Sequence, residues 1–401
     1  MTDQASEPDN QHSTREGARL GEVARLFLRL GFTAFGGPVA HIAMMRQEFV
    51  QRRQWISDQR FVDLIGIVNL IPGPSSTELA IYLGYLRAGV PGLLVAGVCF
   101  IGPAMLIVLA LAWAYVTFGA LPQTAWLLYG IVPVVIAIIA WALWGLGRTV
   151  LRQVFAVGWA VMLVALYLLG VNALLVLFGG GTLYAVALGL WRAVRTRRAH
   201  ASPLLPLLPG AGGVAATTVV ASAASAPFSL LTLFLTFLKI GAVLYGSGYV
   251  LLAFLRADFV HGLGWLTDRQ LLDAVAVGQV TPGPVFTTAT FIGFIVGGWQ
   301  GALVATLAIF LPSFLFIPLI HRVAGWLRRT PAVAGVLDGV NIAAVALMAG
   351  VTLQLAETAL HDVLTWVLAL VTLAMLPRFK FNSAWLILLG GAIGLIAHIV
   401  R

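Results

Sequence analysis

The chain alternates long apolar runs with short polar joints from Val23 to its C-terminus. A run of about 20 apolar residues crosses the hydrocarbon core as a helix, and the short alternating segments of a β-barrel are absent. The pattern predicts an all-α polytopic membrane protein. A first helix over 23–45 leads to a charged, amphipathic stretch. A helix over 61–86 follows, interrupted by Pro72-Gly73-Pro74, and then four apolar helices over 91–117, 123–146, 151–169 and 172–191. The same order returns in 229–253, in 271–296 with Pro282-Gly283-Pro284, and in 300–320, 332–353, 361–376 and 383–400.

The second series repeats the first. Arg29 in Phe27-Leu28-Arg29-Leu30-Gly31 matches Lys239 in Phe237-Leu238-Lys239-Ile240-Gly241, and Asp63 matches Asp273. The spacing is 210 residues through both Pro-Gly-Pro motifs and 209 beyond them, as from Pro103 to Pro312. Internal repeats of this kind fix the architecture before any local reading. Residues 1–20 read as a flexible polar tail, 21–198 as the first repeat, 199–227 as a linker and 228–401 as the second repeat.

Composition narrows the class. The protein has 401 residues, 60% of them hydrophobic and 10% charged, with a mean hydropathy of +0.97. A soluble domain is about 45–50% apolar and about 25% charged. The net charge of +9 does not point to nucleic acid, because the basic residues sit in short joints between apolar runs. One cysteine, Cys99, leaves no intrachain disulfide and no thiolate metal cage.

The joints also orient the halves. Arg87, Arg148, Arg152 and 192–198 are basic in the first half, whereas the joints that match Arg87 and Arg148, at 297–298 and 354–360, carry no Lys or Arg. The joints that are uncharged in the first half become basic at Arg322, Arg328, Arg329, Arg378 and Lys380. Lys and Arg mark the cytoplasmic side, so the halves are expected in opposite topologies, a repeat type that places a substrate site near the midplane. Two parities satisfy this. Either each half has an even number of crossings and 204–226 crosses as well, or 61–86 is re-entrant and no extra crossing is needed. The favoured orientation has a cytoplasmic N-terminus.

The chemistry concentrates at the breaks. Pro72, Pro74, Pro282 and Pro284 each remove a helical hydrogen bond, and broken backbone at membrane depth is tolerated around protein or a water-filled cavity. The helix restarting after each break presents free N–H groups, an anion site. Gly73, Ser75, Ser76 and Thr77 follow from the first break, and Gly283, Thr287 and Thr288 from the second. The alternative is a hinge with ordinary capping. Arg29 and Lys239 are cations in apolar helices, where charge is costly and usually functional; they read as a pair converging on a divalent anion or as snorkelling side chains. Glu78, one turn after the first break, faces Thr288 in the repeat and is the leading candidate for proton coupling, with Asp63 and Asp273 behind it. His41 reads as a satisfied polar group. No catalytic set, metal-ligand spacing or cofactor motif is expected, and no ATP-binding loop is present.

Phe35-Gly36-Gly37-Pro38, Asn69 to Thr77 and Gly84-Tyr85 together resemble the chromate ion transporter family, in its long-chain, two-domain form. The resemblance covers nearly all of residues 20–400. It implies chromate efflux from a bacterial cell across the inner membrane, driven by the proton-motive force and conferring chromate resistance, with sulfate as a competing ligand. Lipid and protons are the other partners; oligomeric state is not encoded in any recognised pattern. The residues alone reach an inverted-repeat anion permease, and an importer of sulfate or another oxyanion shares those features. An intramembrane enzyme would require a nucleophile–base pair or a ligand set that the spacing does not provide.

Overall fold

A computed structural model describes residues 8–119, 121–198, 227–245, 248–327, 331–378 and 383–400. Among these residues there are helices and no strands. The tail expected over 1–20 is helical from Pro8, in α1 (Pro8–Thr33). No proline interrupts the stretch from Asp9 to Val23, and Asp9 sits in the first turn, where the helix dipole favours an acid. Residues 1–7 and the linker crossing expected at 204–226 lie outside the described residues.

Each expected first helix is two. α1 ends at Thr33, and Gly36 (φ 102°) and Gly37 (φ 79°) turn the chain into α2 (Gly37–Met45). In the second half α8 (Leu230–Val243) ends well before α9 (Leu251–Leu255). A wide helical turn follows each, at Arg46–Arg52 and Arg256–Gly262. Arg53 and Arg87 then both reach Glu22, at 3.1 and 2.8 Å, and Arg87 lies 4.9 Å over the Trp55 ring. The hydrogen bond from Arg53 also holds the Glu48 carboxyl below its usual range. The start of α1's apolar part, the end of the wide turn and residue 87 thus meet at one end of the molecule.

Residues 61–86 form a second hairpin at that same end. α3 (Asp58–Val68) runs to the Pro-Gly-Pro break, and α4 (Ser75–Phe118) leaves it. α4 folds back at Ala88 and Gly89 (φ 62°), so it has a short arm, 75–87, and a long arm, 90–118. A methyl on Gly84 would strike the Gly92 carbonyl and Ala96, so the arms lie against each other. A 13-residue arm is about 20 Å long, against about 30 Å of hydrocarbon. The second half repeats the device in α10 (Asp268–Val280) and α11 (Thr288–Leu327), which reverses at Gly297 and Gly298 (φ 59°).

The remaining helices are α5 (Pro122–Val150), α6 (Val154–Leu168), α7 (Gly180–Arg198), α12 (Pro331–Ala359), α13 (Val363–Arg378) and α14 (Ser383–Val400). They pack as one group, α5 on α12–α14 and α12 on α5–α7. Glycines let these helices approach closely in matched pairs, Gly130 on Gly390 and Gly339 on Gly181. The other group is built on α1 against α4, α8 against α11, and α4 against α11. Tyr82, on the short arm of α4, meets the Nδ1 of His321 at 2.8 Å, so α11 ends where the long arm of α4 begins. Phe27 stacks on Phe49 at 5.1 Å and their counterparts Phe237 and Phe259 meet at 4.7 Å. Such aromatic pairs add about 0.5–1.5 kcal/mol beyond burial.

Candidate functional site

The two breaks meet through each other's halves. The Gly73 N–H donates to the Leu244 carbonyl at the end of α8, and the Gly283 N–H donates to the Ala34 carbonyl after α1, both at 2.8 Å. Ala34 and Leu244 are repeat mates, as are Gly73 and Gly283. Both glycines have positive φ, 140° and 92°, which L side chains rarely adopt. A side chain at Gly73 would run into the Glu78 carboxyl and the Ser313 hydroxyl. At Gly283 it would meet Ala104 at 2.7 Å.

The restarting helices are open at their N-termini. Pro74 and Pro284 occupy the cap positions, and no side chain caps either helix. Pro74 O accepts from Thr77 N at 2.8 Å and Glu78 N at 2.9 Å, leaving the first-turn N–H groups of Ser75 and Ser76 at the break. His41 is 1% exposed and hydrogen-bonded at both nitrogens, Nε2 to Ala34 O at 3.0 Å and Nδ1 to Ser76 Oγ at 3.3 Å. A carbonyl only accepts, so Nε2 carries the proton, and in the neutral ring Nδ1 accepts from Ser76. His41 is therefore a satisfied group that holds the Ser76 hydroxyl.

Thr77 and Glu78 differ. Both are 0% exposed, and among the described residues Thr77 Oγ1 and Glu78 Oε2 have no hydrogen-bond partner. Ser313 Oγ stands 3.4 Å from the other carboxyl oxygen of Glu78. Buried polar atoms are normally paired, and these two orphans share one helical turn. At the second break the matching hydroxyls are partnered: Thr287 and Thr288 donate to the carbonyls of Pro284 and Val285 at 2.7 and 2.8 Å.

The other sequence candidates lie apart. Arg29 is exposed on α1. Lys239 is not a free charge: its Nζ donates to Asp258 at 2.6 Å, so part of the expected pair of substrate-binding cations is answered inside the chain. Glu48, the repeat mate of Asp258, pairs instead with Arg52 and Arg53. Asp273 is 1% exposed and accepts from Tyr115 at 2.9 Å, while Asp63 is half-buried. Sequence reasoning missed Ser313, which matches Ala104. A lone hydroxyl after Pro312, in a run of Leu, Phe and Ile, was the available signal. It also missed Tyr245, whose hydroxyl donates to Leu70 O at 2.8 Å across the repeat boundary.

A family model described as Chromate transporter matches residues 21–186 and 231–395, once in each half. The chain is 37% identical over 388 residues to the chromate transport protein of Cupriavidus metallidurans, covering 94% of this chain and 93% of that one. It is 33% identical over 369 residues to a probable chromate transport protein of Synechococcus elongatus, covering 88% and 89%. A shorter uncharacterized transporter of Bacillus subtilis is 28% identical over 161 residues, which is 39% of this chain and 90% of its own. No solved structure matches.

Proposed function

The chain belongs to the chromate transporter family, and from that premise we propose that it exports chromate across the bacterial inner membrane at the expense of the proton-motive force. The observation that carries the site is the orphaned pair, Thr77 Oγ1 and Glu78 Oε2, sealed in the first turn of α4 beside the glycine-lined crossing. A tetrahedral dianion has four acceptor oxygens. Ser75 N–H, Ser76 N–H and the Thr77 hydroxyl supply donors there, and the helix dipole favours negative charge. Thr287 and Thr288 line the matching turn. Gly73 and Gly283 keep side chains away, so backbone and anion can approach.

A carboxylate and a dianion in one dry turn repel. A proton on Glu78 removes the repulsion and turns the carboxyl into a further donor. Proton and anion then bind and leave together as a unit of net charge −1, which only the electrical part of the gradient drives outward, with Asp63 and Asp273 further along the hairpins. The electrical part of the gradient acts on the cargo directly. Each charge moved across 100 mV is worth about 2.3 kcal/mol, and a cell interior negative to its surroundings pushes a dianion outward.

Opposite orientations of the two halves fit this reading. Arg87 lies at the end where Glu22 and Arg53 gather, and the basic joints place that end in the cytoplasm. Run inward, the same linkage of proton and anion describes an importer of sulfate or another oxyanion. Radiolabelled chromate flux in everted vesicles separates the two. Energised accumulation, reduced by a protonophore and competed only weakly by sulfate, is expected. Accumulation in right-side-out vesicles instead, or sulfate preference, overturns export of chromate.

A further inference from the structure

The halves match in sequence and in local packing, but they do not match in how they contact the six-helix group. In the second half, α10 packs on α5, α12 and α14, and α9 packs on α12. Leu272 of α10 is 1% exposed there. Its repeat mate Val62 of α3 is 52% exposed. Leu252 and Ala253 of α9 are 2% and 0% exposed, whereas their mates Ile42 and Ala43 on α2 are half-buried and exposed.

Two cavities show what this asymmetry means. One, of about 140 Å³, is lined by Tyr129 and Val132 of α5, Thr358 and Ala359 of α12, His361, and by Arg269 and Leu272 of α10. The other, of about 350 Å³, is lined by Thr149, Val150, Arg152, Asp338 and Asn341, among others. α5 and α12 are both 29 residues long and begin at Pro122 and Pro331, so the 209 spacing holds through them. Under it Tyr129 and Val132 become Asp338 and Asn341, while Thr358, Ala359 and His361 become Thr149, Val150 and Arg152. The two cavities are the same seat built twice, each from one end of α5 and the opposite end of α12. α10 fills the first. The mates of its filling residues, Gln59 and Val62 on α3, do not line the second, which is larger.

We propose that α3 docks into the seat formed by Thr149, Val150, Arg152, Asp338 and Asn341 as α10 leaves its own, and that this exchange opens the anion site first to one face of the membrane and then to the other. The inference rests on the transport reading given above. The two hairpins hold the breaks, so moving the six-helix group from α10 to α3 covers one access route and uncovers the other. Repeats in opposite orientation relate the two end states by a pseudo-two-fold axis in the membrane plane, with the same elements forming the walls of both seats. Arg269 has Gln59 as its mate and Tyr129 has Asp338, so the seats differ in charge and the balance between states depends on them. The structure is the state with α10 seated. With the basic joints in the cytoplasm, the open seat faces inward.

Two cysteine pairs test this in a Cys99→Ser chain. Val132→Cys with Leu272→Cys joins the occupied seat, and Val62→Cys with Asn341→Cys joins the empty one. A short bismaleimide is applied to everted vesicles at rest and during energised chromate uptake. Each pair is expected to cross-link in part of the population, with the ratio shifting on energisation. Either cross-link should lower chromate flux in proportion to the fraction of molecules joined, while each unlinked double variant transports. If the Val62–Asn341 pair never joins in vesicles that accumulate chromate, the exchange is wrong and the transport reading stands. A joined Val132–Leu272 pair with undiminished flux overturns the exchange in the same way. If wild-type vesicles accumulate no chromate, the transport reading fails, and the presence or absence of both cross-links still decides whether α3 and α10 trade places.

Discussion

Glu78 carries the proton hypothesis on its own, because its repeat mate is Thr288 and symmetry cannot explain it. Glu78→Gln keeps the size and a hydrogen-bond donor but fixes the charge at zero. Chromate flux should persist within a few-fold, and its response to an imposed pH gradient should vanish. Nigericin titration in everted vesicles measures this; a wild-type response in the Gln variant moves the proton to Asp63 or Asp273. The two intramembrane cations should behave differently from each other. Lys239→Gln strips Asp258 of a charged hydrogen bond of about 1.5–3 kcal/mol, so protein level should fall, and Lys239→Gln with Asp258→Asn should recover it. Arg29→Gln has no such partner among the described residues to abandon. If Arg29 meets the anion, half-saturation should rise about tenfold or more at unchanged protein level; unchanged half-saturation means the side chain only snorkels. Arg29 and Lys239 were visible in the sequence as repeat mates. Which of them had an internal partner was not, because Asp258 lies 19 residues away across a wide turn whose geometry no periodicity encodes.

At the scale of elements, the breaks were legible because proline leaves no choice about the helix it interrupts. The expected span of 23–45 carries the first helix past the turn at Gly36-Gly37. Nothing in the apolar pattern stops at Thr33; the chain turns because two glycines adopt positive φ and because Gly283 needs the Ala34 carbonyl. The same reasoning predicts the cost of altering the loops. Valine at Gly73 or Gly283 meets strained backbone worth about 1–2 kcal/mol and overpacking worth about 1–3 kcal/mol. At Gly73 the obstruction is the Glu78 carboxyl itself, so flux should drop at least tenfold while membrane-inserted protein remains on an immunoblot. Near-normal flux in Gly73→Val reduces that loop to a kink. The long arm of α4 and helices α6, α13 and α14 fell within three residues of their expected spans, since length and apolarity define them, whereas α7, α11 and α12 run six or seven residues past their expected ends.

For the whole molecule, Glu22, Arg53 and Arg87 gather at one end and Tyr129 with Asp362 at the other, and the charge of the joints leads us to expect the first end in the cytoplasm. Reporters fused after Trp191 and, in a separate chain, after Val400 should label opposite sides of the membrane, cytoplasmic and external. Agreement between the two reporters removes the inverted arrangement. The uneven seating of the six-helix group had no counterpart in the sequence, because the chain repeats the elements that wall both seats and does not encode which of them is filled. The crossed glycine bonds carry a separate implication, for how such a protein is assembled and how it could have arisen. Each half completes its loop with a carbonyl that belongs to the other, so neither is a finished unit. A chain severed between residues 198 and 228 should accumulate in the membrane when its pieces are made together and be degraded when either is made alone. A half-length ancestor would have met the same requirement with a second copy of itself inserted the other way up, and fusion would have made that partnership permanent.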